Sequence, residues 1–81
     1  MLEIGKEVFY GNSKAGAISS FIHTTRQKEL RDEYVSIVKE NMNIDLEETG
    51  VTFYPALENQ FAKLLKKLAR EKGLWFKLKM Y

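Results

Sequence analysis

A glycine-rich stretch near the N-terminus has the spacing of a phosphate-binding loop. In YGNSKAGAISS, residues 10–20, Gly11 and Gly16 are five positions apart and Lys14 lies between them. A Walker-type loop needs a lysine and a hydroxyl directly after the second glycine, because these groups reach phosphate and magnesium. Alanine and isoleucine stand there instead. We therefore interpret the stretch as a turn in which Gly11, Asn12 and Gly16 supply positive-φ positions, with binding of a lone anion as the alternative.

Two other clusters hold groups used in catalysis or metal binding. His23 lies beside serines and threonines, but sequence neighbours rarely form a catalytic triad and the chain has no nucleophile-elbow motif. We expect a capping or loop histidine there. Asp45, Glu47 and Glu48 lack the ladder of a calcium loop, so we interpret them as a solvated acidic turn.

The C-terminal segment combines aromatic and basic side chains on one predicted strand face. In LWFKLKMY, residues 74–81, apolar residues alternate with Trp75, Lys77, Lys79 and Tyr81, which is the period-two pattern of a strand with two different faces. The second face resembles a platform on which bases stack and phosphates pair. The alternative is a covered face on which the lysine stems lie over the Trp75 ring.

A basic helix is predicted over residues 55–72. Pro55 suits its first turn and Gly73 suits its end. At 100° per residue, one stripe is apolar and is expected to be core: Leu57, Phe61, Leu64, Leu65 and Leu68. The opposite side is basic and contains Lys63, Lys66, Lys67 and Arg70.

An acidic helix is predicted over residues 25–41. Thr24 and Gln27 have capping-box spacing, and Asn41 or Asn43 can adopt the left-handed conformation that ends a helix. Its apolar stripe consists of Leu30, Tyr34, Ile37 and Val38. Glu29, Asp32, Glu33 and Glu40 fall opposite that stripe.

The remaining segments predict short strands. MLEI and EVFY form a hairpin across Gly5 and Lys6, and NIDLE pairs with VTFY at 51–54. VTFY, the basic helix and the C-terminal strand then make a right-handed crossover with parallel strands. Residues 17–22 are a strand or a short helix. We predict an α+β fold: one domain, residues 1–81, with a small mixed sheet of about four to five short strands packed against two amphipathic helices.

The length and composition of the chain exclude several sources of stability. Eighty-one residues make one small core, and the absence of cysteine excludes disulfides. A single histidine argues against structural zinc, so oligomerisation or partner binding is the remaining source of extra stability, and a homodimer is possible. The sequence shows neither a signal peptide nor a membrane span, and we expect a cytoplasmic protein without a cofactor or membrane contact.

Charge is unevenly distributed although the net charge is only +2. Residues 29–54 hold two basic and seven acidic groups, whereas residues 55–81 hold seven basic and two acidic groups. Such asymmetry indicates either an acidic partner for the C-terminal third or pairing of the two charged regions within the chain.

These features favour a small non-enzymatic binding protein. We predict a regulator or inhibitor, of the type that phages and other mobile elements encode, which docks on a larger protein or protein–nucleic acid complex. The alternative is a small domain that binds DNA or RNA. Either partner would contact Lys63, Lys66, Lys67, Arg70, Trp75, Lys77, Lys79 and Tyr81. A third, less favoured hypothesis is a minimal RNA-cleaving toxin that uses His23, Arg26 or Tyr81. The low net charge and the acidic helix favour a protein partner over nucleic acid.

Overall fold

The computed structural model describes residues 1–79 as a three-stranded antiparallel sheet packed against helices. The elements are β1 (Leu2–Ile4), β2 (Glu7–Phe9), α1 (Lys14–Ile22), α2 (Lys28–Met42), α3 (Leu46–Thr49), a 3₁₀ turn (Pro55–Leu57), α4 (Glu58–Glu71) and β3 (Phe76–Leu78). The strand order is β2-β1-β3, so β1 is central. The α+β class is confirmed.

The predicted hairpin between β1 and β2 is confirmed. Ile4 faces Glu7 across a two-residue turn, and Gly5 occupies its first position at φ +60°. A glycine with positive φ at this position suits a type II′ turn, whose twist matches that of the flanking strands. The hairpin leaves the other side of β1 free to pair with β3.

Two predicted strands are absent, which makes four to five strands an overestimate. Residues 43–47 and 51–54 do not pair. Helix α3 begins within the first of these ranges, where the Asp45 side chain accepts a hydrogen bond from the Glu47 N–H at 3.1 Å and caps the helix. Gly50 ends α3 at φ +80°. Without a strand at 51–54, the parallel crossover is also wrong, and β3 instead pairs antiparallel with β1.

The two long predicted helices form, with changes at their N-termini. Asn43 adopts the left-handed conformation at φ 55° and ends α2 as expected. The predicted capping box of Thr24 and Gln27 does not form. Helix α2 begins at Lys28, and the Thr24 hydroxyl accepts a hydrogen bond from the Arg26 N–H instead. Residues 17–22, for which the sequence predicts either a strand or a short helix, belong to α1.

The core lies between the inner face of the sheet and the helices. Leu2 and Ile4 of β1 are fully buried, and half-buried Phe76 and Leu78 extend this face along β3. Helix α1 contacts β1 and β2, α4 contacts β3, and α2 packs against both helices. No helix within residues 1–79 combines the length and apolarity needed to cross a bilayer.

Tyr34 of α2 connects three helices at the centre of this core. Its side chain is fully buried, its ring lies edge-on to Phe21 of α1 at 6.1 Å between centroids, and its hydroxyl donates a hydrogen bond to the Phe61 carbonyl of α4 at 2.9 Å. Burial raises the pKa of the Tyr34 phenol well above its ordinary value, because the ionised form would lose its hydration.

Leu65→Ala should lower the free energy of unfolding by about 2 to 5 kcal/mol, because the side chain is fully buried and its loss leaves a cavity. Leu64→Ala is the matched control on the same helix, and its half-buried side chain should cost clearly less. Urea denaturation of both variants measures the difference. Equal costs would contradict the observed placement of the apolar stripe.

Tyr34→Phe should lower the free energy of unfolding by about 1 kcal/mol at neutral pH, through loss of one buried hydrogen bond. The difference between the two proteins should shrink above about pH 10, because the unfolded wild type then releases its phenol proton while the folded protein retains it. The raised pKa thus gives stability that is complete below the unfolded pKa and is lost at higher pH. Denaturation curves across alkaline pH test this, and a constant difference would contradict it.

Candidate binding surface

The basic face of α4 is exposed as predicted. Lys63, Lys66, Lys67 and Arg70 point to solvent, whereas the opposite stripe of α4 is buried and consists of Phe61, Leu65, Leu68 and Ala69. Glu71 is the acidic neighbour of these cations in a shallow depression. None of the four basic side chains forms an ion pair with another residue of the described range 1–79.

The two faces of β3 separate as predicted over the part that the structure describes. Trp75, Lys77 and Lys79 are exposed, and Trp75 has 62% of its surface open to solvent, so no element within residues 1–79 covers this face. Lys77 lies directly opposite Glu3 of β1. Tyr81, the last residue of the predicted platform, lies outside the described residues.

A groove between α4 and β3 joins these two basic regions. Lys63 and Lys66 line it from α4, Phe76, Lys77 and Leu78 line it from β3, and Asn59, Ala62 and Lys14 complete it. Lys14 reaches this position because its ammonium donates a hydrogen bond to the Asn59 side-chain oxygen at 2.9 Å. We refer to this feature as the α4–β3 groove.

Lys14 is the basic residue that sequence reasoning did not assign to this surface. In the sequence, Lys14 belongs to the glycine-rich stretch and lies 45 positions from Asn59. No local pattern links two residues so far apart. We define the basic surface by its six cations: Lys14, Lys63, Lys66, Lys67, Arg70 and Lys77.

The acidic helix pairs with other cations. Glu33 accepts a hydrogen bond from Lys72 at 2.9 Å, and this hydrogen bond, with the charge of Glu33, raises the pKa of Lys72. Arg31 forms ion pairs with Asp32 and Glu47. Within residues 1–79, the acidic and basic helices therefore share one ion pair, at Lys72, and the basic surface does not take part.

The candidate residues for catalysis or metal binding lie at helix caps or form an ion pair. His23 is exposed and stands at the C-cap of α1, where its backbone N–H donates to the Ser19 carbonyl at 3.1 Å. Asp45 caps α3, and Glu47 contacts Arg31. Across residues 1–79, no three His, Asp or Glu side chains are grouped so as to hold a metal ion.

The glycine-rich stretch is not the positive-φ turn that we predicted. Neither Gly11, Asn12 nor Gly16 has a positive φ, and Gly16 lies inside α1. Gly11 packs directly on the first turn of that helix, where a Cβ at residue 11 would lie 2.2 Å from the Ala17 nitrogen. Glycine is required here for close backbone approach, which leaves no space for a phosphate between residue 11 and the helix. The Ser13 hydroxyl already accepts the Gly16 N–H at 3.0 Å.

Gly11→Ala and Gly16→Ala should therefore have opposite effects. The first should destabilise the protein by about 1 to 3 kcal/mol or more, because the new methyl group overlaps helix backbone. The second places a methyl group 3.4 Å from the Ser13 hydroxyl, an ordinary contact, and should stabilise the helix by up to about 1 kcal/mol. Thermal melts of the two variants provide the test. Similar melting temperatures would contradict the close approach at Gly11.

Comparison of the chain with protein-family models, with curated proteins and with solved structures finds no match.

Proposed function

We propose that this chain is a non-enzymatic binding protein that uses its basic surface to dock on an acidic region of a larger protein. The observation that carries the proposal is the placement of six cations on one connected surface, from Lys14 through the α4–β3 groove to Arg70, without an ion-pair partner in residues 1–79. Outside this surface, Arg26, Arg31 and Lys72 are each paired with a carboxylate. Lys28 and Lys39 also form no ion pair within the described part of the chain, but they line a depression of mixed charge together with Asp32, Asp45 and Glu47.

A role as regulator or inhibitor suits a protein of this size. A domain of 81 residues that covers an acidic surface of a larger partner is able to block whatever else binds there. We propose a regulator of the type that phages and other mobile elements encode. The proposed activity needs no catalytic group, only a rigid scaffold that holds the cations in place.

A protein partner is favoured over nucleic acid by the surroundings of the basic surface. Glu71 lies beside Arg70 on α4, and Glu3 lies opposite Lys77 on the sheet. The net charge of +2 is also low for a protein that must neutralise many phosphates. A local acidic region matches a local basic surface better than a uniformly charged polynucleotide does.

The second candidate function is binding of single-stranded nucleic acid. It is favoured by the exposed ring of Trp75, which precedes β3 and alternates with Lys77 and Lys79 along the chain, the spacing that puts side chains on one face of a strand. An aromatic ring near lysines allows bases to stack while phosphates pair with the ammonium groups.

A double charge reversal, Lys66→Glu with Lys67→Glu, should abolish partner binding while leaving the fold intact. Both side chains are exposed, and such substitutions usually change stability by less than about 0.5 kcal/mol. The matched control is Lys28→Glu with Lys39→Glu, which makes the same charge change at exposed positions of α2. The measurement is affinity capture from extracts of the native host, with and without nuclease treatment.

Each outcome of this capture experiment decides between the candidates. A protein partner that survives nuclease, is lost with the α4 double variant and is retained with the α2 control supports the proposal. Capture that disappears after nuclease supports the nucleic-acid alternative, and affinity should then fall steeply with salt. Equal capture by the wild type and the α4 double variant would overturn the role of the basic surface.

A further inference from the structure

The hydrogen bonds between β1 and β3 show which backbone groups point out of the sheet. Met1 and Lys79 exchange two hydrogen bonds of 2.9 Å, and the Gly5 N–H donates to the Trp75 carbonyl at 2.8 Å. In an antiparallel ladder, bonded and non-bonded pairs alternate. The N–H and C=O groups of Phe76 and Leu78 therefore point away from β1, towards the free side of β3.

This free side of β3 is an open edge of the sheet. Within residues 1–79, β3 pairs with β1 alone, and no side chain contributes a hydrogen bond to the backbone of Phe76 or Leu78. The same residues line the α4–β3 groove. The outward N–H and C=O groups thus lie along a groove that Lys63 and Lys66 border on the other side.

The opposite edge of the sheet is partly covered by a charged side chain. Arg26 donates to the outward carbonyl of Val8 at 3.4 Å, forms an ion pair with Glu7 at 2.7 Å, and lies 4.8 Å from the centre of the Phe9 ring. A charged side chain across an edge strand prevents another strand from pairing there. At the β2 edge the outward carbonyl of Val8 is engaged by Arg26, whereas at the β3 edge neither the outward N–H groups nor the outward C=O groups have a hydrogen-bond partner within residues 1–79.

We infer that the β3 edge binds an extended, acidic segment of the partner as a fourth strand of the sheet. This inference rests on the proposed function and specifies how the basic surface recognises its target. Main-chain hydrogen bonds to Phe76 and Leu78 supply the pairing, as in other cases of strand addition. The surrounding cations select for carboxylates.

The alternation of side chains along a strand specifies the sequence of this segment. A residue of the segment opposite Lys77 lies on the outer face of the sheet, where a carboxylate pairs with the lysine. Residues opposite Phe76 and Leu78 point to the α4 side, where Ala62 offers an apolar contact. The expected segment therefore alternates acidic and apolar residues, with further acidic residues at its ends reaching the α4 lysines.

Charge favours this occupant over a second copy of the chain. Pairing of β3 with β3 of another copy would bring Lys77 and Lys79 of both chains together and place two basic α4 faces side by side. Like charges opposite each other across strands are destabilising. An acidic segment satisfies the same backbone groups and neutralises the cations.

The experiment uses a blocked heptapeptide of alternating glutamate and valine, added to the isotopically labelled protein. Amide hydrogen exchange of Phe76 and Leu78, followed by NMR, should slow by about tenfold or more as the peptide binds. The first control is the lysine–valine peptide of the same pattern, which should not bind. The second is the glutamate–valine peptide with N-methylated valines, which keeps its charge but loses main-chain donors.

A variant of the protein tests the same hydrogen bonds from the other side. Methylation of the Leu78 backbone nitrogen, introduced by chemical ligation, removes an outward donor and leaves every charge and every β1–β3 hydrogen bond in place. Affinity for the glutamate–valine peptide should fall by about tenfold, whereas the unmodified ligated protein serves as the matched control.

The outcomes separate this inference from the proposed function. Slower exchange at Phe76 and Leu78 that is lost with the N-methylated peptide, together with weaker peptide binding by the protein methylated at the Leu78 nitrogen, supports strand addition. Binding that depends on Lys63 and Lys66 but leaves that exchange unchanged overturns strand addition and retains an acidic partner. Absence of any binding by the glutamate–valine peptide overturns strand addition, while the capture experiment independently decides the proposed function. Exchange that slows with protein concentration alone indicates a second copy at the edge and overturns the acidic segment.

Discussion

The position of α4 depends on one buried hydrogen bond and the side chain that makes it. Tyr34 is the largest fully buried side chain among residues 1–79, and its hydroxyl contacts the Phe61 carbonyl while its ring contacts Phe21. A buried phenol must satisfy its hydroxyl, so α4 is held at the depth and rotation that present this carbonyl. The rotation that turns Phe61 and Leu65 inward also turns Lys63, Lys66, Lys67 and Arg70 outward. The core thus determines which face of α4 any partner meets.

The sheet is held by the same helices, although it contributes few residues of its own. Each strand has only three residues, and such a sheet is stable only when one face is covered. Phe9 of β2 contacts Phe21 of α1 at 5.4 Å between ring centroids, which continues the aromatic contacts from Tyr34 to the hairpin. At the other side, α4 covers the inner face of β3. The α4–β3 groove is therefore bordered by two elements that share one core.

Helical periodicity and strand alternation predicted much of this arrangement. The stripe of Leu65 and Leu68 placed the basic face of α4, and the alternation after Gly73 placed Trp75 and Lys77 outside. The prediction of strands at 43–47 and 51–54 was wrong. It rested on the β-branched and aromatic residues in these ranges, whereas the Asp45 cap and Gly50 favour one short helical turn. The contribution of Lys14 and the open edge of β3 depend on contacts between distant segments, which no local pattern encodes.

The side chain of Arg26 at the β2 edge also limits how many molecules can join this sheet. Arg26 contacts a carbonyl, a carboxylate and an aromatic ring of β2, so a strand that approached this edge would have to displace it. The two edges of the sheet are therefore unequal, and pairing is opposed at β2 but not at β3. Charge at an edge strand is one way in which proteins avoid edge-to-edge association into continuous sheets.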